Sequence, residues 1–197
     1  MPGLALGAGL PTVRLEYLRS IGKRDMTEIN SSENGRRSVL FVCLGNTCRS
    51  TMAEGILRHL VNTEDQSEQW TIDSAAIADW QVGRPVDKRT RKVFQKHNIP
   101  EFSHTARQIT TDDFFNFAYI LGMDQYNINS LKQIKPRGSE AVIKLLGQYD
   151  PEDSHPQIPD PFIKTDNAKH FENLQDIWSG KIFIFTRPDE TLPDQKY

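Results

Sequence analysis

An apolar run, Val39-Leu40-Phe41-Val42, leads without a break into Cys43-Leu44-Gly45-Asn46-Thr47-Cys48-Arg49-Ser50, and that junction constrains the fold more than any other part of the chain. Valine and phenylalanine favour extended backbone, so the run reads as a buried strand. Beyond the junction, Met52, Ile56, Leu57, Leu60 and Val61 recur at helical spacing, while Glu54, Arg58 and Asn62 fall largely on other faces. A tight loop therefore joins a strand end to a helix start. Unpaired backbone N–H groups and the positive end of the helix macrodipole meet there, which favours a bound anion such as phosphate.

Cys43 and Arg49 bracket five residues of that loop. Cysteine reacts as its thiolate, and a helix N-terminus with a nearby arginine favours that form. Arg49 offers a planar fork that binds two phosphoryl oxygens at once and stays charged while negative charge redistributes. These are the parts for attack on a phosphoryl group, with Cys43 as nucleophile and Arg49 as oxyanion partner. Ser50, in the first helical turn, is placed to donate a hydrogen bond to the sulfur and to support its departure in a second step. The spacing alone carries little weight, and the flanking strand and helix give it its force. The bland alternative is that Cys43 is a buried structural thiol.

Such chemistry also needs a proton donor for the leaving atom. Asp160-Pro161 is the candidate: it closes a proline-rich polar stretch, Pro151 to Pro161, that reads as a long loop, and proline holds the preceding aspartate in extended backbone. Asp150-Pro151 repeats the dipeptide. The phenylalanine after Pro161 and the distance from the last apolar strand favour Asp160.

Strands near 38–43, 71–75, 117–121 and 140–146 alternate with helical stretches near 50–62, 86–97, 124–134 and 167–178. Val86, Thr90, Val93, Phe94 and His97 share one helical face. The alternation implies one α/β domain, a parallel sheet with helices on both faces and a site at the carboxyl ends of its strands near a topological switch point.

The segment VLFVCLGNTCRSTMAEGILRHLV resembles the opening of the low-molecular-weight protein tyrosine phosphatases. WTIDSAA (70–76), HNIP (97–100), SHTARQI (103–109), YILGMD (119–124) and LLGQYDP (145–151) resemble further family segments in the same order. The resemblance spans about residues 38–178. It implies the flavodoxin-like phosphotyrosine phosphatase I fold, a phosphocysteine intermediate, and Asp160 as general acid and then as general base for water. Leu44, Gly45, Asn46, Thr47, Cys48 and Ser50 would form the phosphate cradle. Cys48 would trap oxidised Cys43 as a reversible disulfide, with simple packing as the alternative role for Cys48. Trp80 and Phe162 would flank a phosphotyrosine ring. Thr47 departs from the aliphatic residue usual in eukaryotic members and matches bacterial protein-arginine phosphatases with a similar CxGNTCRS loop. Phosphotyrosine is the leading substrate and phosphoarginine the alternative, on phosphorylated proteins or small aryl phosphates. Thr51 replaces a proline usual at the helix start. A thioredoxin-coupled arsenate reductase would need further downstream cysteines, and an inactive phospho-binding module would need a distorted site.

Composition limits the other possibilities. The chain is 197 residues long, 37% hydrophobic, with a net charge of -2, enough for one ordinary core. No basic bias points to nucleic acid or an anionic membrane, and no apolar run approaches the ~20 residues needed to span a bilayer. Cys43 and Cys48 are the only cysteines, which suits a reducing cytoplasm. The five histidines are scattered, and no nucleotide-binding fingerprint or zinc-ligand pattern occurs, so no cofactor or metal is expected. Residues 1–37 read as a disordered extension whose first 24 residues weakly resemble a mitochondrial presequence, with Met26 as a possible alternative start. Residues 179–197 read as a divergent tail in which Ile182-Phe183-Ile184-Phe185 is an aggregation hazard.

Overall fold

The computed structural model describes residues 37–149 and 156–161. Asp150, Phe162, the helix expected near 167–178 and both terminal segments lie outside the described residues. Four strands, β1 (Arg37–Cys43), β2 (Trp70–Ala76), β3 (Tyr119–Gly122) and β4 (Val142–Leu145), form one sheet in the order β2-β1-β3-β4. Every pairing is parallel, with Cys43 opposite Ala76 and Gly122 opposite Val42 and Leu145. The chain leaves β1 for β2 on one side and then crosses back to β3 on the other. The end of β1 is therefore the switch point at which α/β sheets open a crevice.

The helices are α1 (Arg49–Thr63), α2 (Lys88–Lys96), the single turn α3 (Asp113–Asn116) and α4 (Gln125–Ile134). Alternate residues of β1 face opposite layers. Val39, Phe41 and Cys43 pack with Met52, Ile56 and Leu57 of α1 and Phe94 of α2. Leu40 and Val42 pack with Phe114, Phe117 and Leu131. Val39 to Val42 are wholly inaccessible, which explains why β1 is an uninterrupted apolar run rather than an alternating one.

Strand and helix ends shift by a few residues from the sequence expectation, for local reasons. Asp87 and Asp124 each accept a hydrogen bond from a backbone N–H of the following turn, Arg89 and Asn127 respectively, and so stand as N-caps outside α2 and α4. The expected strand at 117–121 begins at Tyr119, because Phe117 closes α3 and Ala118 donates its N–H to the Ser38 hydroxyl. Glu54 requires a correction. Placed off the apolar face of α1, it is 2% exposed, because polar partners behind the loop replace the water it gives up.

Candidate active site

The loop turns sharply at Asn46, whose φ of 54° is in the left-handed region that asparagine tolerates better than most residues. That turn aims the Asn46 N–H at the Cys43 sulfur, 3.3 Å away, and brings the Ser50 hydroxyl to 3.1 Å from the same atom. The Asn46 side chain is fully employed. Its Nδ2 donates to the hydroxyls of Ser50 (2.9 Å) and Ser74 (2.8 Å), and its Oδ1 accepts from the Arg107 backbone (2.9 Å) and pairs with His104 Nε2 (2.9 Å). Helix α1 starts at Arg49 with no side-chain cap and no acidic residue in its first turn, so its leading N–H groups remain available to an anion.

Behind Asn46, the Ser74 hydroxyl donates to Glu54 Oε2 (2.7 Å), which also lies 3.2 Å from His104 Nδ1, and Arg58 Nε donates to Glu54 Oε1 (2.8 Å). Burial opposes the Glu54 charge, but the bonds from His104 and Ser74 and the Arg58 guanidinium outweigh it and hold this carboxyl below its ordinary pKa. Glu54, Asp73 and His104 bring potential ligand atoms within 4.8 Å of one another. The two carboxylates are already engaged by Arg58 and Arg107, so the cluster reads as a hydrogen-bonded brace.

Arg49 is 3% exposed and clamped on both nitrogens. Nη1 donates to Asp124 Oδ2 (2.6 Å) and to the Ile158 carbonyl (3.1 Å), and Nη2 donates to Asp160 Oδ2 (2.8 Å). Burial alone would lower the Arg49 pKa, but Cys43, Asp160 and Asp124 reverse that and raise it. Asp124 is held in place by its other oxygen, which caps α4. The fold thus brings Cys43, Arg49, Ser50 and Asp160 together.

The remaining loop residues are placed around this centre. Asp87 donates its N–H to the Thr47 carbonyl (2.8 Å), tying the loop to the start of α2. Ile77 and Ala78 donate to the carbonyls of Cys43 and Leu44, and the Gln81 side chain packs on Gly45, where a Cβ would come within 3.1 Å of its Cγ. Trp80 belongs to this overlying loop and is 62% exposed. Cys48 is buried, and burial and then the neighbouring Cys43 push its thiol pKa well up. The Thr51 hydroxyl donates to the Cys48 carbonyl (2.9 Å), giving a use for the residue that stands in place of proline.

His104, Ser74, Glu54, Arg107 and Asp124 were missed as parts of the site. His104, Ser74, Arg107 and Asp124 all sit in segments recognisable from the sequence, but their convergence on Asn46 and Arg49 comes from pairing of β2 and β3 with β1 and, for His104 and Arg107, from the bridge of Gln108 to Ala76.

The low molecular weight phosphotyrosine protein phosphatase profile matches residues 38–180. The chain belongs to that family. The human low molecular weight phosphotyrosine protein phosphatase is 45% identical over 138 residues, covering 69% of this chain and 86% of that relative. Among solved structures, a protein tyrosine phosphatase from Entamoeba histolytica with Hepes in its active site superposes with a TM-score of 0.70 at 28% identity, covering 76% of this chain and 94% of the other. The Drosophila arginine phosphatase superposes equally well, with a TM-score of 0.70 at 33% identity over 75% of this chain and 94% of its own. Family membership accounts for the parallel sheet and for the position of Cys43 at a strand-to-loop junction.

Proposed function

We propose that this chain hydrolyses phosphotyrosine in proteins through a phosphocysteine at Cys43, within a phosphatase domain spanning 38–178 and flanked by 1–37 and 179–197. The observation that carries the reading is the convergence on one sulfur of the Ser50 hydroxyl and the Asn46 N–H, beside the buried Arg49 fork. In the first step the Cys43 thiolate attacks phosphorus. The bond to the tyrosine oxygen breaks as Asp160, in its acid form, gives that oxygen a proton. Arg49 and the loop N–H groups hold the equatorial oxygens. In the second step Asp160, now a carboxylate, takes a proton from water as the water oxygen attacks phosphorus, and Cys43 leaves as a thiolate supported by Ser50 and Asn46. Inorganic phosphate is released.

A phosphoryl group that takes Arg49 over from Asp160 frees this carboxylate to take up a proton and meet the leaving oxygen. Trp80 supplies one aromatic wall for the ring and Phe162 the other. Cys48 serves as the resolving thiol when Cys43 is oxidised, and alkylation mapping after peroxide treatment reads the resulting disulfide. The two free thiols suit a cytoplasmic setting.

The deciding experiment is trapping of a phosphorylated protein at Cys43 during turnover of an aryl phosphate. Wild type should yield a phosphocysteine peptide, and Cys43→Ser should yield neither the peptide nor turnover. Turnover retained by Cys43→Ser would end this mechanism.

A second substrate, phosphoarginine, has two supports: Thr47 in the cradle and the structural similarity to the Drosophila arginine phosphatase. The same in-line attack would break a P–N bond, with Asp160 protonating the guanidinium nitrogen. Phosphotyrosine leads because the human and rat relatives, 45% and 46% identical, carry that name. Specificity constants on phosphotyrosine and phosphoarginine peptides, measured side by side, rank the two.

A further inference from the structure

The segment that delivers Asp160 to the site crosses directly over the turn that follows β4. At Gly147, in the 3-10 turn Leu146–Tyr149, a Cβ would stand 2.0 Å from the Pro156 carbonyl oxygen, 2.6 Å from its carbonyl carbon and 2.8 Å from its Cα. All three are backbone atoms, so no side-chain rotation relieves the clash and the chain itself has to move. Gly147 does not have positive φ, unlike Gly83 and Gly138. Glycine is needed here for space and not for conformational freedom.

Immediately downstream, the crossing segment is pinned to the site. The Gln157 Oε1 accepts from the Gln125 N–H (3.2 Å), Ile158 donates its N–H to the Met123 carbonyl (2.7 Å), and the Ile158 carbonyl accepts from Arg49 (3.1 Å). Two residues further on, Asp160 meets Arg49 at 2.8 Å. The Pro156 backbone thus sets the height at which this short run enters, and the bonds at 157–160 transmit that height to the carboxyl.

We propose that Gly147 is a positioning residue for the proton donor: the missing side chain lets the Pro156 backbone settle on the turn, and that seat fixes where Asp160 stands over Cys43 and Arg49. The proposal rests on the reading of Asp160 as general acid. Gly147→Ala lifts Pro156, displaces Asp160, and leaves Cys43, Asn46, Ser50 and their bonds where they are.

The test compares kcat/KM of the full chain for phenyl phosphate, a poor leaving group, and p-nitrophenyl phosphate, an activated one, because kcat/KM reports the steps up to leaving-group departure. Wild type, Gly147→Ala, Asp160→Asn and the double variant are measured. A misplacement of about 1 Å costs on the order of 10²-fold in such steps, so Gly147→Ala should lower the phenyl phosphate value by roughly 10- to 100-fold and the p-nitrophenyl phosphate value far less. On the Asp160→Asn background it should add almost nothing. Equal loss on both esters, no loss, or a full further loss on the Asp160→Asn background overturns the role of Gly147 alone. If Asp160→Asn itself slows both esters equally, the proton-donor reading falls and takes the Gly147 role with it. Should Gly147→Ala fail to fold, Gln157→Ala loosens the same segment from an exposed position and should show the same leaving-group selectivity in weaker form, and an unselective effect there also overturns the proposal.

Discussion

Asn46 satisfies a backbone requirement and a side-chain requirement at one position. Its φ of 54° would strain alanine, whereas its amide meets two hydroxyls, an imidazole and a backbone N–H. The two contributions separate by substitution. Asn46→Gly keeps the conformation and loses the side-chain bonds; Asn46→Ala loses both. Left-handed backbone costs an ordinary residue about 1 kcal/mol more than glycine, so the alanine variant should unfold with a stability about 1 kcal/mol below the glycine variant, and both should lie well below wild type in urea titrations. Thr47, the next residue, bears on selectivity. It is part of the cradle yet half-buried, so its hydroxyl can meet the first atoms beyond phosphorus. Thr47→Ile replaces that hydroxyl with apolar surface and should shift the ratio of specificity constants toward phosphotyrosine peptides by about tenfold to a hundredfold over phosphoarginine peptides. An unchanged ratio would assign substrate choice to Trp80 and the residues opposite it.

Helix α1 does two jobs at the level of an element: its first turn supplies Arg49 and Ser50 beside Cys43, and its middle packs against α2. Gly55 lies in that middle, and a Cβ there would come within 2.5 Å of Phe94 Cζ and 2.8 Å of Phe102 Cε1. Alanine is worth up to about 1 kcal/mol over glycine in a helix, but overpacking a filled core costs about 1–3 kcal/mol. Phe94 is 1% exposed and has no room to retreat. Gly55→Ala should therefore lower the unfolding free energy by about 1–2 kcal/mol, read from denaturant titrations, with little effect on turnover. The same helix shows what could be read from the sequence. Met52, Ile56 and Leu57 declared its buried face, and the strand before it was legible because β1 is covered on both sides and needs apolar residues throughout. Glu54 was read as lying off the buried face because helical periodicity scores side chains by polarity. It cannot register that Arg58, Ser74 and His104 arrive from elsewhere to satisfy a buried carboxylate. Asp124 was likewise recognisable as part of a segment but not as the anchor of Arg49, since that contact spans 75 positions.

Across the molecule, buried or partly buried carboxylates held by cations and by N–H and O–H donors set its response to acid. Glu54 in α1, Asp87 before α2 and Asp113 in α3 all lie below their ordinary pKa: burial opposes each charge, and the bonds from His104 and Ser74, from Arg89, and from Arg107 and Thr110 respectively outweigh it. A carboxyl whose folded pKa is depressed contributes stability that is fully present above the unfolded value, about 4, and is lost as pH falls through the folded value. The melting temperature should hold from neutral pH down to about 5 and drop below about 4. Asp113→Asn should lower it at pH 7 and narrow the gap to wild type at pH 3, which thermal melts at the two pH values would check. Arg49 also holds a counterion of its own, Asp160, 2.8 Å away, so a phosphoryl group that engages this arginine does so by exchange, and its affinity is the difference between two ion pairs. In the proposed cycle Asp160, once it has shed the proton taken from water, competes with free phosphate for the same guanidinium and helps to clear it for the next substrate.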